Sequence, residues 1–154
     1  MPRLLLPLLL AAIVACTAAV TPAPTASPLP DDRIQLLHTD DIHGHLDAAV
    51  VQSVTSTFRS GGMAQLAGQA AAFRARAPQR TLLVDAGDTW QGTFISNENK
   101  GEAVTKAMNL MKYDAMAVGN HEFDWGQEVL ARRAEEAAFP FLAANVIETR
   151  TGRS

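Results

Sequence analysis

The chain has 154 residues, of which 47% are hydrophobic and 19% charged, and its formal net charge is -3. This balance is typical of a globular domain and excludes a fibrous or disordered protein. Acidic and basic residues are scattered along the chain, which predicts neither a basic patch for nucleic acid polymers nor a polybasic membrane-surface segment. Because Cys16 is the only cysteine, an intramolecular disulfide is excluded.

Residues 1–16 have the features of an export signal. A positive start precedes an apolar run of about a dozen residues, fewer than the roughly 20 that a membrane-spanning helix requires. Residues 13–16 (IVAC) resemble a bacterial lipoprotein processing site, so Cys16 is predicted to be lipidated and to anchor an exported protein to a membrane. The alternative is an ordinary signal, cleaved near Ala18 or Ala19.

Residues 17–30 contain four prolines among Thr, Ala and Ser. Such a stretch buries no core and favours extended conformations. It is predicted to be a linker between the anchor and the folded part, residues 31–154. A merely disordered leader is the alternative interpretation.

From residue 31 onward, short apolar runs alternate with stretches of helical periodicity, joined by a loop over residues 45–62. Three helices are predicted, beginning at Met63, at Glu102 and near Trp125. Four strands are predicted over residues 33–38, 81–84, 115–118 and 141–144. The order β-α-β-α-β-α-β predicts an α/β fold in which helices cover a layered sheet. Ligands of such sheets collect at the carboxyl ends of the strands.

The first polar cluster follows the first predicted strand. Asp41 and His43 are two residues apart, so in an extended segment both side chains face the same way. A carboxylate and an imidazole suit Zn²⁺, Mn²⁺ or Fe. Alone, such a pair is more often a solvated loop. His38 and His45 lie nearby and are interpreted as structural or as groups that support the ligands without binding the metal.

The second cluster, Gly87 and Asp88, follows the second predicted strand. Glycine permits a tight turn, and a carboxylate has two oxygens with which to bridge two cations. As an isolated dipeptide it would be interpreted as a turn.

The third cluster, residues 119–122 (GNHE), follows the third predicted strand. The amide oxygen of Asn120 can ligate a metal, and His121 can protonate a leaving group. Asp124 can accept a hydrogen bond from the His121 imidazole and favour its protonated form. The alternative for Asp124 is a helix N-cap, with Gln127 completing a capping box.

The three clusters, in this order, resemble the calcineurin-like metallophosphoesterase superfamily. Longer strings are similar to its bacterial 5′-nucleotidase and 2′,3′-cyclic-nucleotide phosphodiesterase branch: residues 37–45 (LHTDDIHGH), 85–92 (DAGDTWQG) and 119–126 (GNHEFDWG). The resemblance covers about residues 34–146. It implies the first β-α-β-α-β-α-β portion of a layered metallophosphoesterase catalytic domain, which is therefore incomplete over residues 31–154.

The resemblance implies two divalent metal ions, Zn, Mn or Fe, and a role for each matching residue. Asp41 and His43 would hold the first metal, Asp88 would bridge both, and Asn120 would bind the second. His121, paired with Asp124, would act on the phosphoester oxygen, while the metals activate a water that attacks phosphorus. This sequence departs from the family at Asp40, where Asn is more common. The family's remaining ligands, mainly histidines, lie downstream of Asn145, and no histidine follows His121.

The implied function is that of an exported, metal-dependent hydrolase of nucleotide phosphoesters at the periplasm or cell surface. 5′-Mononucleotides and 2′,3′-cyclic nucleotides are comparable candidate substrates, and a sulfur ester is a less favoured one. The alternative function is a truncated, non-catalytic exported lipoprotein with a partial metal site. The sequence does not specify protein partners.

Overall fold

Six strands and four helices make up the part of the protein that the computed structural model describes, residues 27–147 and 149–152. The strands are β1 (Gln35–Thr39), β2 (Ala49–Gln52), β3 (Thr57–Ser60), β4 (Thr81–Asp85), β5 (Ala115–Ala117) and β6 (Phe141–Leu142). The helices are α1 (Met63–Arg76), α2 (Phe94–Glu98), α3 (Glu102–Met111) and α4 (Gln127–Glu136).

The main sheet has the strand order β1-β4-β5-β6, and all of its pairs are parallel. Leu37 lies opposite Leu83, Val84 opposite Ala115 and Met116 opposite Phe141. Each connection between neighbouring strands contains at least one helix, as parallel pairing requires. The predicted α/β fold, with a parallel sheet and flanking helices, is therefore confirmed.

The hydrophobic core lies between one face of this sheet and the helices. Val104, Met108 and Met111 recur at helical spacing on α3 and pack with the sheet residues Leu83 and Met116. Successive strand residues point to opposite faces, so the intervening side chains lie on the other face. In the described residues that second face stays open to solvent, with Leu36, Leu82 and Leu142 between 44% and 59% exposed.

Two features of the fold, a β-hairpin and a short helix, lie outside the predicted strands and helices. β2 and β3 form an antiparallel hairpin, closed by hydrogen bonds between Ser53 and Ser56, so the interpretation of residues 45–62 as a loop is wrong. β-Branched and aromatic residues such as Val50 and Phe58 explain the pairing. Helix α2 is a single short turn between Gly92 and Gly101 that was also not predicted.

The last residues of the predicted linker are hydrogen-bonded to the domain. Arg80 donates to the carbonyl oxygens of Leu29, Pro30 and Arg33, and Arg76 donates to that of Ser27. The predicted export signal, Cys16 and the linker up to residue 26 lie outside the described residues. In the part that is described, no helix combines the length and apolarity that a bilayer crossing needs.

Candidate metal centre

Three loops meet at the carboxyl edge of the main sheet. Asp41 and His43 follow β1, Asp88 follows β4, and Asn120 and His121 follow β5. Because these strands are parallel neighbours, their carboxyl ends lie at the same edge. The fold therefore gathers all of the predicted metal-binding residues on one side of the domain.

His43, Asp88 and His121 lie close enough to share an ion. Each offers one ligand atom, and these three atoms all lie within 4.8 Å of one another. Asp41 extends the group, because its Oδ1 lies 3.6 Å from His43 Nε2. Donor atoms that each lie about 2.1 Å from one metal are separated by roughly 3–4 Å, so the arrangement and the mixed nitrogen and oxygen donors fit a divalent cation.

The ring of His43 is oriented by a backbone carbonyl. Its Nδ1 lies 2.7 Å from the carbonyl oxygen of Gln91, which only accepts hydrogen bonds. Nδ1 therefore carries the proton, and in the neutral ring the lone pair belongs to Nε2, the nitrogen nearer Asp41. Metal-binding histidines usually donate their other N–H to such a carbonyl or carboxylate.

The backbone is held in a costly conformation at three of the predicted ligands. Asp41, His43 and Asp88 have positive φ angles of 48°, 48° and 53°. A left-handed residue other than glycine costs about 1–3 kcal/mol and persists only where its surroundings enforce it. Here backbone hydrogen bonds join the two loops, from Asp41 N to Gly87 O at 3.1 Å and from His43 N to Asp88 O at 3.1 Å.

Asp88 is packed directly against the loop that follows β5. Its Oδ1 accepts a hydrogen bond from the His121 backbone N–H at 2.9 Å. A Cβ atom at position 119 would lie 2.3 Å from the same oxygen, so any side chain there would displace Asp88. In the described part of the chain Oδ2 accepts no hydrogen bond, which leaves this oxygen available for a cation.

His121 is paired with Asp124, as the sequence predicted. Its Nδ1 lies 2.7 Å from Asp124 Oδ2. This hydrogen bond is the main reason why the pKa of His121 is raised above its ordinary value. The alternative role of Asp124 as a helix N-cap is wrong, since α4 begins at Gln127 with Gly126 at its N-cap. The rings of His121 and His43 are in edge contact, with centroids 5.0 Å apart.

The other predicted residues occupy different surroundings. Asn120 precedes a short 3-10 helix (His121–Phe123), and its exposed side chain forms no hydrogen bond within the described residues. His45 is exposed, and its Nδ1 lies 2.8 Å from the Ile42 carbonyl oxygen. His38 lies on the open face of the sheet, so it does not contribute to this cluster.

Two buried carboxylates beneath the cluster were not singled out from the sequence. Glu122 is completely buried, and burial raises the pKa of its carboxyl group, while three backbone N–H donors oppose this shift. Asp85 is 3% exposed, and burial also raises its pKa, against hydrogen bonds from Thr39, Thr89 and Gly87. The available signal was their position beside apolar strands, because an acidic residue there is almost always hydrogen-bonded or paired if it is buried.

No family model matches the chain. Among curated proteins, it is 42% identical over 118 residues to 5′-nucleotidase of Homo sapiens and 37% identical over 123 residues to Protein UshA of Salmonella pullorum. These matches cover 74% and 78% of this chain, but 20% and 21% of the relatives. The chain therefore spans about a fifth of the length of the curated relatives that it matches.

The chain also resembles part of several solved structures. The chain resembles the 5′-nucleotidase precursor of Thermus thermophilus with a TM-score of 0.67 and 37% identity, covering 72% of this chain and 22% of that one. It resembles the calcineurin-like phosphoesterase YfkN of Bacillus subtilis with a TM-score of 0.65 and 30% identity. The match covers 79% of this chain and 39% of YfkN. The sulfate thiohydrolase SoxB of Thermus thermophilus shares the fold with a TM-score of 0.70 at 20% identity. The match covers 81% of this chain and 32% of SoxB.

Proposed function

Since the chain belongs to the calcineurin-like metallophosphoesterase superfamily, as the N-terminal part of a 5′-nucleotidase-type domain, we propose that it contributes to a metal-dependent hydrolase of nucleotide phosphoesters. The observation that carries this proposal is the convergence of Asp41, His43, Asp88 and His121 at one sheet edge, with their donor atoms within a few ångströms. The names of the relatives, which include several 5′-nucleotidases, support nucleotides as the substrate class.

The ligand roles are those that the family resemblance implies. Asp41 and His43 would hold one divalent cation, Asn120 the second, and Asp88 would lie between them with its free Oδ2. Zn²⁺, Mn²⁺ and Fe all accept such a mixed set of nitrogen and oxygen donors. When bound, the cations supply Lewis acidity to the phosphoryl oxygens and lower the pKa of the attacking water.

We assign His121 to the substrate rather than to a cation. This assignment follows the family resemblance, in which the histidine of the GNHE motif acts on the phosphoester oxygen, and the hydrogen bond from Nδ1 to Asp124 Oδ2 orients its ring. Protonated His121 is placed to donate its proton to the oxygen of the departing alcohol. Asp124 fixes the direction of the ring, and its hydrogen bond raises the pKa of His121, which favours the protonated form.

The proposal is tested by loading the purified 154-residue chain with Mn²⁺ or Zn²⁺ and assaying an activated aryl phosphate diester, 5′-AMP and 2′,3′-cyclic AMP. His121→Ala is expected to reduce turnover by about 100-fold or more, which is the usual contribution of a general acid. His38→Ala is the matched control, because His38 lies on the open sheet face. If the loaded chain binds less than one metal and turns over none of these esters, the non-catalytic lipoprotein is the better description.

We also propose that the protein is exported and lipidated at Cys16. The apolar run before this cysteine and the proline-rich stretch after it support the proposal. Metabolic labelling with a tagged fatty acid in a bacterial host is expected to label the full chain, and Cys16→Ser is expected to lose the label. Cleavage near Ala18 or Ala19 without labelling would show an ordinary signal instead.

A further inference from the structure

Glu122 links the loops that carry the candidate ligands. Its Oε2 accepts hydrogen bonds from the backbone N–H groups of Asp88 at 2.9 Å and Gly119 at 2.8 Å. Its Oε1 accepts a third from the Thr89 N–H at 2.8 Å. The side chain is 0% exposed, so these bonds are shielded from water. One carboxylate therefore binds the loop after β4 and the loop after β5 together.

A fourth hydrogen bond runs in the opposite direction and closes this link. The His121 N–H, next to Glu122 in the chain, donates to Asp88 Oδ1 at 2.9 Å. The backbone N–H of Asp88 is thus bound by Glu122, and its side chain is bound by the backbone of His121. These two contacts hold the left-handed backbone of Asp88 and limit the rotation of its carboxylate.

Both oxygens of Glu122 are directed at N–H donors, and neither reaches solvent, so this residue is not itself a ligand. Three donors facing one side chain require a group that only accepts hydrogen bonds. Glutamine has the same size, but its –NH₂ would face a backbone N–H, leaving two donors opposed. An unpaired buried donor is costly, so the loops would move apart.

We propose that Glu122 is a positioning residue that sets the affinity of the centre for divalent cations by fixing Asp88 relative to Asn120 and His121. The inference rests on the proposed metal site, and it names a residue that acts through the ligands rather than on the cation. It also explains why an acidic residue occupies a fully buried position among apolar strands.

The first test compares Mn²⁺ binding by the full 154-residue chain and by its Glu122→Gln variant, using calorimetry. Changes to groups that orient metal ligands usually lower affinity by about 10- to 100-fold, and a loss in this range is expected here. Glu135→Gln, an exposed position on α4, makes the same chemical change and is expected to leave the affinity unchanged. Circular dichroism confirms that each variant is folded at the temperature of measurement. Equal affinities in folded Glu122→Gln and wild type would refute the proposal.

A second measurement needs neither metal nor activity. In the NMR spectrum of the metal-free wild-type chain, the amide protons of Asp88, Thr89 and Gly119 are expected to be shifted downfield and protected from exchange. In Glu122→Gln, these three signals are expected to change most. Fast exchange of all three in the wild type would refute the link even if the variant does not fold. If the amides behave as expected but the wild type binds no metal, the proposed metal site is refuted. The hydrogen-bonded link that Glu122 makes between the two loops is then still supported.

Gly119→Ala gives a second variant, which keeps the Glu122 side chain and crowds Asp88 instead. The added methyl group would lie 2.3 Å from Asp88 Oδ1 and 2.6 Å from the Asp88 backbone N, so the whole of Asp88 must shift, and circular dichroism checks that the variant is folded. Displacing the same carboxylate is expected to weaken Mn²⁺ binding by a similar factor, about 10-fold or more. Unchanged affinity in this variant would show that the position of Asp88 does not control the site.

Discussion

Replacing Asp88 by asparagine is expected to remove most of the affinity of the chain for divalent cations, by more than about 100-fold in the dissociation constant. Changes to groups that merely orient a ligand already cost about 10- to 100-fold. Asp88 is the residue proposed to contact both cations, and an amide carries no charge to balance theirs. Turnover of phosphoesters is expected to disappear with the metal. Calorimetric titration with Mn²⁺ and an assay of the same samples measure both effects.

Asparagine removes the charge of Asp88 and keeps its size and backbone conformation. It tolerates the left-handed backbone that Asp88 adopts at φ 53°, and its amide oxygen can still accept the hydrogen bond from His121. The fold is therefore expected to survive. Asp32→Asn, an exposed change near the opposite end of the sheet, controls for the loss of one negative charge. An equal, small loss of affinity in Asp88→Asn and Asp32→Asn would indicate a diffuse electrostatic effect rather than ligation by Asp88.

Replacing Trp90 by alanine is expected to lower the free energy of unfolding by about 3–5 kcal/mol, the usual cost of deleting a buried aromatic side chain. Trp90 is completely buried just behind the Asp88 loop, and its ring centroid lies 5.8 Å from that of Phe141. The ring also packs on Gly101, where a Cβ would approach to 2.5 Å. A small domain has a total stability of only about 5–15 kcal/mol, so this single change removes a large part of it.

Urea denaturation followed by circular dichroism measures this loss. Phe94→Ala is the matched control, since it also deletes an aromatic ring but at a position that is 80% exposed. Its effect is expected to stay within about 0.5 kcal/mol. Similar losses in the two variants would show that the Trp90 side chain is not part of the core.

The fold was predictable because its signals are local and repeated. Each parallel strand is a short apolar run, and each run ends directly before polar residues. α3 was placed within a residue of its observed bounds, since Val104, Met108 and Met111 mark a single buried face. The sequence also predicted that the polar clusters lie together, because each follows a parallel strand and neighbouring parallel strands end at the same edge of the sheet.

The parts that were not predicted depend on contacts between segments distant in sequence. The β2–β3 hairpin is exposed along its length, so neither strand shows the alternation that marks a half-buried strand. Asp88 and Glu122 are 34 positions apart, and only the folded loops reveal their hydrogen bond. The start of α4 was misplaced because Asp124 offered a plausible cap, whereas in the fold its carboxylate is bound to His121.

The contacts of Arg80 and the candidate metal centre lie at opposite ends of the main sheet. Arg80 binds the segment around Leu29 and Arg33 at the amino ends of β1 and β4, while the candidate metal centre lies at their carboxyl ends. Five strand residues, about 16 Å, separate these two ends. Residues 27–30 therefore lie at the end of the domain opposite the candidate metal centre, so this part of the chain does not cover the side from which a dissolved molecule would approach the centre.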